Sequence, residues 1–233
     1  MVDLTSEMAQ LWASLGPPPP GRARVVQFAA ARAGEGTSTV AREFARVAVG
    51  RASKPVWLVD LDLTGPGQAA AIAAEPGHYG TLGKPAAATP DGSMFFTVQP
   101  PARDRAGRPL PDARYLTARP VGGRKLWVTS FRQDGLRSGQ RVHLLPKGDY
   151  WRALRPHADL VVIDAPSAER SSAALTVAPF VDFTVLVVAA EEPDTQAPAQ
   201  LRASIEQAGG RCAGIVFNRA RIETPRFVRR MLP

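Results

Sequence analysis

Short apolar runs rich in β-branched residues recur along this chain with helix-period segments between them, and that alternation limits the possible folds most. The runs are Arg24 to Ala30 (RVVQFAA), Val56 to Asp60, Leu160 to Asp164, Phe183 to Ala189 and Ala213 to Phe217, with further strand-like stretches at Lys125 to Phe131 and Val142 to Leu145. Helical spacing of apolar residues is found from Ser38 to Val49 and from Thr195 to Ala208, and more briefly at Tyr150 to Pro156 and Ser171 to Pro179. Continuous apolar strands alternating with helices predict a mostly parallel sheet covered on both faces, an α/β three-layer sandwich. A length of 233 residues with 45% apolar and 21% charged content suits one such domain.

The rest of the chain is arranged around that core. Residues 1–15 read as a short amphipathic helix, with Leu4, Met8, Leu11, Trp12 and Leu15 at helical spacing. The Pro-rich run in 16–23 ends it, because proline cannot continue a helix and favours an extended linker. Residues 24–220 form the expected α/β domain. Within it, about 65–125 reads as a loop-rich insertion, with a hairpin at most, because Pro and Gly recur every few residues. Residues 221–233 form a basic tail.

Charge and cysteine content narrow the setting. The chain carries +8, and the segment from Arg103 to Arg155 has thirteen Lys and Arg against four Asp and no Glu, or +9, leaving −1 for the remainder. Such a local excess marks a surface for an anionic partner without naming it. The single cysteine, Cys212, excludes an internal disulfide and fits a reducing compartment. The first residues lack a basic region followed by an apolar run, and no apolar stretch approaches the roughly 20 residues of a spanning helix. A cytoplasmic location is therefore expected, with attachment to the inner face of the membrane only through a partner.

The chemistry concentrates after the first strand. Ala31-Arg32-Ala33-Gly34-Glu35-Gly36-Thr37-Ser38-Thr39 follows a strand and opens a helix. In that context glycines let backbone N–H groups crowd around phosphate oxygens at a helix N-terminus, where the dipole favours anions. Gly34 and Gly36 fit such a loop, and Ser38 stands where a hydroxyl holds Mg²⁺. Thr37 stands where a lysine reaches the β- and γ-phosphates in the P-loop motif. Two strands then end in carboxylates, Val59-Asp60-Leu61-Asp62 and Val162-Ile163-Asp164-Ala165-Pro166. Acids at strand C-termini face the ligand crevice of open parallel sheets and can hold Mg²⁺ directly or through water.

In that order the motifs resemble those of the bacterial tyrosine kinases of capsule and exopolysaccharide synthesis, within the septum-site and partition ATPase group. Gly34-Glu35-Gly36-Thr37-Ser38 is similar to the family loop except at the lysine, and Gly214-Ile215-Val216-Phe217-Asn218-Arg219 is similar to its strand and asparagine near the adenine. The resemblance runs from about Val25 to Ala220 and is patchy between Gly65 and Lys125. It implies a P-loop NTPase-type fold, ATP or ADP with Mg²⁺ as cofactors, and catalytic carboxylates at Asp60 and Asp62. It further implies nucleotide contacts from Arg32, Gly34, Glu35, Gly36, Thr37, Ser38, Thr39 and Asn218, and metal ligation by Ser38, Asp60 and Asp164. Arg32 stands where partition-type ATPases carry a second, signature lysine.

The departures bear on activity. Glu7 to Ala13 matches the family's ring-assembly helix but lacks its two arginines, and no tyrosine follows Tyr150 where the family has a C-terminal cluster. With the loop lysine also absent, the expected function is an accessory protein of cell-surface polysaccharide synthesis or export with impaired catalysis. Its expected partner is a membrane-embedded polysaccharide co-polymerase or regulator, with homo-oligomers as a further expectation; nucleic acid is not expected. The alternative is an active partition or septum-site ATPase binding DNA or membrane, with Arg32 in place of the lysine.

Overall fold

The computed structural model describes residues 3–16, 19–123, 125–191 and 195–220; part of the expected linker and the whole basic tail lie outside them. In chain order the elements are α1 (Thr5–Ser14), β1 (Arg24–Ala29), α2 (Thr37–Val49), β2 (Val56–Asp60), α3 (Gly67–Ala74), α4 (Pro76–Tyr79), β3 (Ala86–Ala87) and β4 (Phe96–Gln99). They continue with β5 (Leu116–Val121), β6 (Leu126–Phe131), β7 (Arg141–Leu144), α5 (Asp149–Leu154), β8 (Leu160–Asp164), α6 (Ala173–Val177), β9 (Phe183–Ala189), α7 (Gln196–Gln207) and β10 (Cys212–Asn218).

The main sheet has the order β10-β9-β1-β8-β2-β6-β5-β3. The strands from β10 to β6 run parallel, while β5 and β3 are added antiparallel at one edge. Every residue of β1, β2 and β8 is buried, as expected of strands covered on both faces. On one face α1 and α2 pack Met8, Val40 and Phe44 against Val26, Phe28 and Leu58, with the Phe28 and Phe44 rings 5.3 Å apart. On the other face lie α5, α6 and α7, with an aromatic cluster in which Phe95 stands 4.8 Å from Tyr150 and 5.4 Å from Trp151.

The stretch expected to be a loop-rich insertion is more regular than its composition suggests. It contains α3, and its later part, β5, joins the main sheet through β6. The sequence Gly67-Gln68-Ala69-Ala70-Ala71-Ile72-Ala73-Ala74 is mostly alanine, with a single polar residue, so it has little amphipathic period to detect. The strands β4 and β7 pair antiparallel in a separate small sheet. The turn 103–109 closes on itself through the Arg103–Pro109 bridge, and the segment 132–141 is tied to Pro100, whose carbonyl accepts from the Gln140 side chain while Gln140 accepts from the Arg137 N–H. Arg103, Arg105, Arg108, Arg137 and Arg141 are all exposed on this lobe. Asp104 pairs with Arg108 at 2.9 Å and Asp134 with Arg132 at 3.8 Å. The lobe therefore keeps a strong positive excess at its surface.

Candidate functional site

The strand order places β1 between β8 and β9, so the crevice beyond its C-terminal end is the switch point where open α/β sheets bind ligands. The turn from β1 into α2 is shaped by Gly34 and Gly36, with φ of +83° and +89°. Both lie in the left-handed region that glycine enters without steric cost. Gly36 is constrained twice, because a Cβ there would stand 2.0 Å from Asn218 Nδ2. At the start of α2 the backbone N–H groups of Thr37, Ser38 and Thr39 precede the first intrahelical bond, donated by Val40 to the Gly36 carbonyl at 3.0 Å. Such N–H groups form an anion-binding end.

Acidic side chains hold the loop in shape. Glu35 is buried, and its Oε2 accepts the Arg32 N–H at 2.8 Å while Oε1 accepts the Ala189 N–H at 3.4 Å. Glu169 accepts the Ala33 N–H at 2.6 Å, and Asn218 Nδ2 donates to the Glu35 carbonyl at 2.9 Å. The loop is thus tied to three separate parts of the chain. Thr37, expected from the sequence to stand at the lysine position, is buried at 8% exposure, whereas Ser38 and Thr39 are exposed.

The carboxylates lie beside the loop. Asp60 and Asp164 are direct neighbours in the β2–β8 register. Asp60 accepts the N–H groups of Asp62 at 2.8 Å and Gln68 at 2.7 Å. Burial, followed by the charge of Asp164, raises the Asp60 carboxyl to about 7. Burial likewise raises Asp164 to about 6, with Ser38 and Gln68 pulling it back down. Asp62 closes an Asx turn on Thr64 and Gly65 and reaches Arg170 at 3.2 Å. Burial raises the Asp62 carboxyl, but the Thr64 bonds, Arg170 and Gly65 outweigh it, so the net shift is downward.

On the other side of the loop, Arg32, Gly34, Glu35, Glu191, Pro198 and Arg219 line a cavity of about 160 Å³. Arg219 follows β10 with φ +59°, its N–H bonded to Asn218 Oδ1 at 3.0 Å. One crevice therefore gathers the residues from Gly34 to Thr39, Asp60, Asp62, Asp164 and Asn218, with Arg32 facing the adjoining cavity. Gln68 and Arg42, buried beside the two aspartates, have no motif or spacing that would mark them in the sequence. Glu169 was equally hidden, since its role depends on a contact with Ala33 far along the chain.

The donor set suits a hard cation. Ser38 and three carboxylates offer oxygen, and Asp164 Oδ1 is buried without a hydrogen-bond partner, a group that a cation would satisfy. Among the described residues no three acidic, histidine or cysteine side chains form a metal cage; Mg²⁺ commonly keeps waters and phosphate oxygens instead. The lysine side of the motif does not fit, since Thr37 carries no charge.

A glycine turn after the central strand, a helix start and two strand-end aspartates on a parallel sheet define a P-loop NTPase-type α/β fold. Comparison with solved structures gives the same class: the fold is that of bacterial tyrosine kinase domains and septum-site ATPases. The kinase domain of VpsO matches with TM-score 0.55 at 21% identity, over 85% of this chain and 86% of that chain. The kinase domain of the Escherichia coli tyrosine kinase ETK matches with TM-score 0.55 at 16% identity, over 87% and 70%. The septum site-determining protein MinD of Pyrococcus horikoshii, complexed with Mg-ADP, matches with TM-score 0.53 at 15% identity, over 88% and 75%. No protein-family model and no curated protein matches the chain.

Proposed function

We propose that this chain is an accessory protein of cell-surface polysaccharide synthesis or export, built on a tyrosine-autokinase fold and impaired in phosphoryl transfer. The observation that carries the reading is buried Thr37 at the lysine position of an otherwise well-formed phosphate loop. Phosphoryl transfer depends on positioning and on cations that meet the charge developing on the phosphate. Loss of one such group costs on the order of 10²–10³ in rate. The tyrosines of the described residues do not offer an alternative phosphorylation cluster: Tyr115 and Tyr150 are buried, and Tyr79 donates to Glu43 at 2.7 Å.

On this reading ATP or ADP sits on Gly34 to Thr39, with Asn218 and Arg32 at its far side. Mg²⁺ is held by Ser38, Asp60 and Asp164, and supplies charge to the phosphates when bound. Asp60 and Asp62 are the carboxylates nearest the reacting end. The arginine lobe then docks a membrane-embedded co-polymerase or regulator through an acidic cytoplasmic face, since arginine forms bidentate bonds with carboxylates and phosphates. No helix among the described residues is long and apolar enough to cross a membrane, so the bilayer is reached through that partner.

Calorimetry with ATP and ADP in the presence of Mg²⁺, on wild type beside Thr37→Lys, tests the reading. Tighter binding by the variant, about tenfold or more, is the expected result, since the loop geometry is in place and only the charge is missing. Micromolar binding and steady hydrolysis by wild type, abolished in Arg32→Ala, would instead identify an active partition-type ATPase.

A further inference from the structure

Among the described residues the small sheet contains only β4 and β7, paired antiparallel from Phe96↔Leu144 to Gln99↔Arg141. The Leu145 N–H donates to the Phe95 carbonyl at 2.8 Å, one step beyond that register. Bonded and non-bonded pairs alternate along such a ladder, so the N–H and C=O groups of Val142 and Leu144 point away from β4. An edge of this kind is a ready template for another strand. The Val142 and Leu144 side chains pack on the core and, with Leu61, Leu63 and Pro166, line a cleft of about 250 Å³. The cleft borders β7 and not β4, so it lies beneath the place where a further strand would run.

The surroundings of that edge are basic. Arg141 begins β7 and Lys147 follows it, and both are exposed. Arg170 lines the cleft, more than half exposed, with Nη2 3.2 Å from Asp62, which leaves most of its five donors open. We propose that β7 is a strand-addition site for an extended, acidic segment of a partner protein. Alternate apolar side chains of that segment enter the cleft, and its carboxylates meet Arg141, Lys147 and Arg170. A second copy fits poorly, because it would set one arginine-rich lobe against another. Residues 221–233, with four arginines against one glutamate, match the rim no better. The inference rests on the docking reading of the arginine lobe given above, and names the edge and the mode. Because the cleft shares Asp62 with the candidate site, the docked segment lies beside the nucleotide crevice.

The test titrates the whole chain with a fluorescein-labelled peptide of about six residues that alternates valine with glutamate, read by fluorescence anisotropy. Saturable binding is expected. Two further peptides carry N-methyl groups at the valine or at the glutamate backbone nitrogens, and so block opposite edges of the added strand. One should bind about tenfold or more weakly than the other, the loss expected for main-chain hydrogen bonds. Val142→Pro should weaken the parent peptide similarly, since its N–H faces away from β4 and the existing ladder is kept. Equal affinity of the two methylated peptides for wild type overturns the proposal, whether or not the variant folds. Undiminished binding of a peptide with serine for valine also overturns it, by reducing the contact to charge alone. Binding to phosphatidylserine vesicles but not to the peptide overturns it too. No nucleotide enters this titration. Peptide binding without nucleotide binding in wild type or Thr37→Lys supports strand addition and sinks only the phosphate-site reading. Nucleotide binding without peptide binding does the reverse.

Discussion

Asp164→Asn is expected to make the protein more stable at pH 8, by about 1–3 kcal/mol, although it removes a residue of the candidate site. Asp164 is 4% exposed and lies beside Asp60 in adjacent strands. Burial raises its carboxyl to about 6, and burial with the Asp164 charge raises Asp60 to about 7. Both values exceed the unfolded carboxylate value of about 4. Between those limits the native state therefore binds more protons than the unfolded state, and stability falls as pH rises. Their contribution is most favourable below about pH 4, declines through pH 6–7, and levels off once both groups are ionised.

Asparagine removes one of the two facing charges while keeping an oxygen to accept from Gln68 Nε2. Its amide nitrogen takes the place of Oδ1, which has no partner in the native protein. Urea denaturation of wild type and variant from pH 4 to pH 8 checks this. The two curves should meet near pH 4 and separate steadily above it, with the variant melting roughly 3–9 °C higher at pH 8. A variant less stable than wild type at pH 8, with an unchanged pH slope, would show that the aspartate pair is not strained.

The second large effect is expected at the loop. Gly36→Ala should cost about 2–4 kcal/mol. About 1–2 kcal/mol comes from forcing an L side chain to a left-handed backbone conformation. A further 1–2 kcal/mol comes from displacing Asn218, whose Nδ2 stands 2.0 Å from the new methyl group and now bonds the Glu35 carbonyl. Gly34→Ala supplies the control. It has a similar φ of +83°, but a Cβ there meets no atom within 4 Å. It should lose only the conformational part, about 1–2 kcal/mol. Equal losses at both positions, measured by denaturant unfolding, would mean that Asn218 does not fasten the loop.

Both predictions concern contacts between residues far apart in the chain, and that separates what was legible in the sequence from what was not. The strands Val56–Asp60 and Leu160–Asp164 were readable because a fully buried strand is a local run of apolar residues, and the helix after Gly36 because its period is local. The aspartates closing those strands and the glycine turn before α2 were readable for the same reason, since a strand-end position already says which way the crevice lies. By contrast, α3 was hidden by a composition too uniform to show a face. The strand β5 was hidden by Pro120 and by its dependence on β6 for pairing.

Thus the sequence by itself determined the layered α/β architecture, the phosphate-type turn and the acids facing it, because each rests on neighbours a few residues apart. The tertiary structure alone decided that Asn218 grips Glu35, that Glu169 holds Ala33, and that Gln68 and Arg42 fill the corner between Ser38, Asp60 and Asp164. Apart from the Gln68–Asp60 bond, which spans eight positions, those contacts join residues separated by 26 to 183 positions. They exist because strand order brings the ends of β1, β2, β8 and β10 to one crevice, where buried polar groups must find partners wherever the fold supplies them.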